Sequence, residues 1–240
     1  MTQQATRPGL PQGAPGRSRT AFLFDLDGTL VDSVYQHVLA WHEAMTNVGI
    51  KLAVWTIHRR IGMSGGLFVN ALLRETGKQL SSEEANGLRA RHAEAFVRRM
   101  GEVRPLPGAR DLLSRLTQQG VPWAIATSGS PQTAGPSIAM LGVEPKVVIT
   151  RADVAHAKPD PDLFLAAAER LGVDIVHSIV VGDSVWDLLA AQRAPALGVG
   201  LLSGGYGREE LQQAGAYRVY EDPRDLLEHL DEIGVRHPSG

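Results

Sequence analysis

Short apolar runs alternate along this chain with longer stretches whose apolar positions recur every three to four residues. The runs Thr20–Phe24, Trp123–Ala126, Val147–Ile149, Ser178–Val181 and Leu197–Leu201 are nearly all apolar and are bounded by Gly, Asp or Pro. That is the pattern of strands buried on both faces of a parallel sheet. Residues 108–119, 132–141, 161–171 and 185–193 carry the helical period between them. Strands alternating with helices predict an α/β fold built on a doubly wound parallel sheet.

One interval breaks the alternation. Between the first strand and the second, residues 34–100 hold the helical patterns "VYQHVLAWHEAMTNVG", "SGGLFVNALLRETG" and "SSEEANGLRARHAEAFVRRM". A connection that long is improbable without structure of its own. An inserted all-helical cap domain is therefore expected over 34–103, between core segments 20–33 and 104–240. Ser82 is the expected N-cap of the third cap helix, with Glu83 and Glu84 in its first turn, and Asp32 the expected cap of the first. "VRPLPGA" (103–109), with two prolines, is expected to form a semi-rigid return to the sheet. Residues 1–19 are polar and rich in Pro and Gly with no apolar centre, the composition of a disordered tail rather than a signal peptide.

Composition narrows the function classes. Hydrophobic residues make up 43% of the 240 and charged residues 21%, which fits an ordinary soluble core. Lys plus Arg total 24 against 26 Asp plus Glu, a net charge of −2, so neither nucleic acid nor an anionic membrane is expected as a partner. No apolar run approaches the ~20 residues of a bilayer span. With no cysteine, disulfides and thiolate metal sites are excluded, and a reducing cytoplasm is the expected location.

The chemistry gathers where strands end. "FLFDLDGTLVDS" (22–33) runs an apolar segment into Asp25 and Asp27; the second strand ends in Thr127 and Ser128, and the fourth in Asp183. Lys158 stands before a helix in "AHAKPDPD". Sites in open α/β sheets form at the carboxyl ends of strands, where strand order reverses. Asp25, Asp27 and Asp183 are a hard oxygen set suited to Mg²⁺, which would offset the repulsion between closely spaced acids. A hydroxyl and an ammonium beside that cation suit a phosphate, and Gly28 permits an unusual turn or a close backbone approach after the acids. Together these features suggest phosphoryl transfer through an aspartate nucleophile, with a second aspartate two residues on as general acid and base.

Four segments in this order resemble the motifs of the haloacid dehalogenase superfamily: "DLDGTLVDS", "IATSGS", "KPDPD" and "VGDSVWD". The resemblance spans about residues 20–228, and the insert is similar to the helical cap of the phosphoglycolate phosphatase and β-phosphoglucomutase subgroup. It implies a Rossmann-like core and a Mg²⁺-dependent phosphatase. Asp25 would be nucleophile and metal ligand, Asp27 acid/base with its carbonyl on the metal, and Asp183 the completing ligand. Asp187 would support the metal shell. Thr127 and Lys158 would hold the transferring phosphoryl, with Ser128 and Gly129 adding contacts. In the cap, "RRIGMSGG" (59–66) would select substrate through Arg60, Gly62 and Ser64. His37, Trp41 and His42 are read as packing or surface residues.

The resemblance implies a small phosphorylated metabolite as partner and a monomer or homodimer. A β-phosphoglucomutase-like phosphomutase is the alternative, weakened because Gly65 stands where the mutases typically carry an Arg. A 2-haloacid dehalogenase would not keep the Asp27-type acid. A phosphoaspartyl signalling module would be about half this length and lack a cap.

Overall fold

The computed structural model of the protein describes residues 20–63, 65–77 and 80–235. The expected tail over 1–19 and Ser64 lie outside the described residues. In chain order, β1 (Ala21–Phe24) and the two-residue β2 (Val31–Asp32) precede four cap helices, α1 (Val34–Thr46), α2 (Val54–His58), α3 (Gly65–Thr76) and α4 (Ser82–Arg98). The core resumes with β3 (Arg104–Pro105), α5 (Ala109–Gln118), β4 (Trp123–Ala126), α6 (Pro131–Ala139) and β5 (Val148–Ile149). It closes with α7 (Asp162–Leu171), β6 (Ser178–Gly182), α8 (Val185–Arg193), β7 (Leu197–Leu201), α9 (Arg208–Gln213), β8 (Arg218–Tyr220) and α10 (Pro223–Glu228).

The main sheet is six-stranded in the order β5-β4-β1-β6-β7-β8, and every pairing in it is parallel. Chain progression reverses on either side of β1, so a crevice opens beyond the ends of β1 and β6. All four β1 residues are buried. Phe22 and Phe24 pack with Leu112, Leu113 and Leu116 of α5, while Leu23 packs with Leu163 and Phe164 of α7 on the opposite face. Full burial of such side chains is worth about 1.5–3 kcal/mol each, which explains why the run is apolar on both faces. The edge strand β8 escapes sequence reading because Arg218–Tyr220 is three residues long with an exposed arginine first.

The cap has its own core, in which Val34, Val38, Trp41 and Met45 of α1 meet Phe68 and Leu88. Its two connections to the core pair with each other, Val31 opposite Pro105 and Asp32 opposite Arg104, so the expected linker is half of an antiparallel clamp. Asp32 therefore does not cap α1. That position belongs to Ser33, whose hydroxyl turns to Asp27 instead of the helix amides. The cap of α4 is likewise Ser81 rather than Ser82, because Ser81 forms a reciprocal box with Glu84.

Candidate active site

The backbone of β1 continues its ladder one residue past the strand, with Asp25 N donating to the Val181 carbonyl at 2.9 Å. The chain then turns tightly: Gly28 N donates to Val31 O at 2.8 Å and Leu30 N to Leu26 O at 2.9 Å. Gly28 has φ +84°, and a Cβ there would lie 2.5 Å from Asp183 Oδ2. Only glycine satisfies both demands. This turn delivers Asp25 to the end of β1, beside Asp183 at the end of β6, and Thr29 Oγ1 donates to Asp183 Oδ1 at 2.9 Å.

Asp25, Asp183 and Asp187 are buried, and each offers an oxygen within 4.8 Å of the others. Lys158 is fully buried behind them, paired with Asp25 and, at 2.8 Å, with Asp187 Oδ1. Asp187 Oδ2 accepts from the Ser184 amide at 3.1 Å and its hydroxyl at 2.5 Å. Three buried carboxylates around one ammonium leave an excess of negative charge. Asp25 is pushed up to about 7, first by burial and then by Asp187 and Asp27, with Lys158 opposing. Asp183 is held well above the usual carboxylate range by burial and by Asp187 and Asp25. Burial alone would favour neutral Lys158, yet the charges of Asp187 and Asp25 outweigh it and hold the ammonium protonated. Such a cluster of hard oxygens with uncompensated charge fits a divalent cation.

Asp27 faces elsewhere. Its Oδ1 accepts from Ser33 Oγ at 2.6 Å and lies 3.2 Å from His37 Nε2. Burial works against its ionisation, but His37 and Ser33 outweigh it, so its proton affinity is lowered. His37 Nδ1 lies 3.0 Å from His92 Nε2 of α4. His92 is stacked 4.0 Å from Trp41, and its pKa is held well below the ordinary value, chiefly by burial and then by His37.

Asp25, Asp27, Thr127, Ser128, Gly129 and the cap's Gly62 all line one cavity of about 150 Å³. Thr127 Oγ1 accepts from Gly129 N at 3.0 Å, which fixes the turn after β4. The Ser128 hydroxyl is committed to the cap, donating to the Gly62 carbonyl at 3.0 Å. Gly62 packs against the core so tightly that a Cβ would lie 2.8 Å from Ser184 Oγ. The cap is thus shut over the site. Arg60, in the turn after α2, is not among the described lining residues; its Nη1 donates to the Thr56 carbonyl of that helix at 3.0 Å. Arg59 pairs with Glu210 of the core. The cations that do line the cavity are Arg89 of α4 and Arg151 of the core, together with His37, His92 and Trp41. Nothing in the sequence singles out Arg89, His92 or Arg151, while His37 and Trp41, expected as packing or surface residues, are buried as well as lining the cavity. Their one signal is that His37 and Trp41 lie four residues apart, on one face of α1.

No helix among the described residues is long and apolar enough to cross a membrane. A profile of haloacid dehalogenase-like hydrolases matches residues 20–195. Hexitol phosphatase A of Escherichia coli is 35% identical over 176 residues, covering 72% of this chain and 78% of the relative. A phosphoglycolate phosphatase of Agrobacterium fabrum is 33% identical over 185 residues, 74% of this chain and 78% of its own. The crystal structure of a hydrolase from Pseudomonas syringae superposes with a TM-score of 0.88 at 53% identity, over 90% of this chain and all of the other (100%). With its parallel core, its helical cap and its four motifs in order, the chain belongs to the haloacid dehalogenase-like hydrolases and is a phosphoric monoester hydrolase.

Proposed function

We propose that the protein is a Mg²⁺-dependent phosphatase that hydrolyses a small phosphorylated metabolite, phosphoglycolate- or sugar-phosphate-like, through a phosphoaspartyl intermediate on Asp25. The observation that carries this reading is the convergence of Asp25, Asp183, Asp187 and Lys158 directly behind a capped cavity that Asp25 and Asp27 line. Relatives named for hexitol phosphates and for phosphoglycolate support the substrate range.

Asp25 and Asp183, with the Asp27 carbonyl, would hold the cation, and Asp187 would support them. When bound, Mg²⁺ supplies charge neutralisation for the phosphoryl oxygens. A carboxylate oxygen of Asp25 attacks phosphorus and the bond to the leaving oxygen breaks, with Thr127 and Lys158 stabilising the transferring group. Asp27 gives its proton to the leaving oxygen, then takes one from the water that attacks phosphorus and frees Asp25. The lowered pKa keeps Asp27 ionised, the form in which the base half of the cycle starts. The negative charge of an arriving phosphoryl raises it for the acid half. The shut cap keeps bulk water from the acyl phosphate.

A phosphate-release screen over phosphorylated metabolites tests this, with Asp25→Asn as control. Turnover is expected with Mg²⁺, loss with EDTA and recovery on adding Mg²⁺ back. Full activity of Asp25→Asn would contradict the scheme. Isomerised product in place of free phosphate would establish the phosphomutase alternative.

A further inference from the structure

The segment "LLSGGYG" (201–207) after β7 has one side on the acidic cluster and the other on the cap. Gly204 packs so closely on Asp183 that a Cβ would lie 1.7 Å from Oδ2. Ser203 Oγ donates to the Gly28 carbonyl at 2.6 Å, and Gly28 abuts the same Asp183 oxygen. From the opposite side His58, the last residue of α2, donates through Nε2 to the Gly204 carbonyl at 2.8 Å. Two aromatic rings pack near its own: the Tyr35 ring lies parallel at 5.3 Å, and the Tyr206 ring tilts at 6.0 Å. Gly205, with φ +88°, makes room for it, since a Cβ there would lie 3.0 Å from His58 Nε2 and 3.1 Å from Tyr35 Oη. Tyr206 Oη then donates to the Arg59 carbonyl at 2.8 Å, and the Arg59 guanidinium lies 4.3 Å above the Tyr206 ring.

We infer that His58 is a positioning residue for the cation site. By fixing the Gly204 carbonyl it holds the wall against which the Asp183 carboxylate is oriented, so that cap closure and Mg²⁺ affinity are coupled. The inference rests on the reading of Asp25, Asp183 and Asp187 as a Mg²⁺ site. Two adjacent glycines have the largest conformational freedom to lose, so a wall made from them needs an external restraint. The described contacts supply two, Ser203 on the core side and His58 on the cap side. The nearby Arg59–Glu210 pair is half-exposed on both partners and contributes little of its own. The coupling runs both ways: if closure tightens cation binding, the cation favours the closed cap by the same factor.

Calorimetric titration of the full chain with MgCl₂ alone, without substrate, tests the coupling. His58→Ala is expected to weaken Mg²⁺ about 10-fold, the low end of what removing a supporting hydrogen bond costs a metal site. His58→Phe keeps the stack and lacks the donor, so it is expected to lose as much and carries the test if the alanine variant does not fold. His58→Gln keeps a donor and is expected to bind within about two-fold of the parent, as is Arg59→Ala, which cuts the ion pair but spares the donor. Parental Mg²⁺ affinity in both His58→Ala and His58→Phe would overturn the coupling. A parent protein that binds no Mg²⁺ would overturn the cation site itself, and the coupling with it.

Discussion

Asp27 of the core and His37 of the cap meet across the domain boundary, with Nε2 3.2 Å from Oδ1 and Ser33 Oγ on the same oxygen at 2.6 Å. The residue assigned to move protons is therefore oriented by a helix of the cap. On its other side Nδ1 lies 3.0 Å from His92 Nε2, so the ring is engaged at both nitrogens. The ring also lies 3.7 Å from that of Phe96 in a parallel stack, which leaves it one orientation.

Replacing His37 by Ala leaves Asp27 with Ser33 alone. The turnover number kcat is expected to fall about 10- to 100-fold with KM changed far less, because the contribution is to proton transfer and not to binding. Steady-state kinetics on the best substrate of the screen would check this. A parental kcat in His37→Ala would remove His37 from the mechanism.

Lys158 is the only cation paired with the buried acids Asp25 and Asp187 among the described residues. Truncation to Ala strands buried carboxylates without a counter-charge, and breaking a buried pair from one side costs about 3–5 kcal/mol. Urea unfolding in EDTA is expected to show a loss of that order. Mg²⁺ is expected to restore part of it by binding the folded state preferentially. A loss below about 1 kcal/mol would mean that the acids are already protonated in the absence of metal.

His92 provides a pH signature. Burial holds its folded-state pKa well below the ordinary histidine value of 6.5. Below pH 6.5 the unfolded chain binds a proton there that the folded chain refuses, so stability is lost as pH falls from about 6.5 towards the folded value. The slope from this one group approaches about 1.4 kcal/mol per pH unit. Thermal unfolding of His92→Phe, which keeps an aromatic against Trp41, is expected to be flatter between pH 7 and 5 than that of the parent. Identical slopes would show that His92 is not buried in its neutral form.

The strands, the acids after β1 and β6, and Thr127 after β4 were legible because buried parallel strands are apolar throughout and polar residues at their ends stand out; Lys158, in the loop before α7, was legible only through "KPDPD". The cap contribution was not. His37 looks like any histidine on an amphipathic helix until α4 brings His92 to it from 55 positions along the chain. Arg60 looked like a substrate-facing cation, but the turn after α2 sends its Nη1 back to the Thr56 carbonyl and its neighbour Arg59 onto Glu210. Arg89 and Arg151, which line the cavity, carry no motif. Asp32 has the chemistry of a helix cap, yet pairing with Arg104 draws it into β2 and leaves the position to Ser33. The glycines of "LLSGGYG" resemble an ordinary loop, and their closeness to Asp183 is set by tertiary packing alone.

Hydrolysis by this route passes through a phosphoryl group carried on Asp25. Asp27→Asn, given acetyl phosphate and Mg²⁺, should form that intermediate, because the leaving group needs no proton, and should hydrolyse it slowly for want of a base. Acid quenching followed by peptide mass mapping is predicted to find one phosphoryl group on Asp25. A phosphoryl group on another residue, or phosphate release by the parent with no phosphorylated enzyme at any time, would contradict the account.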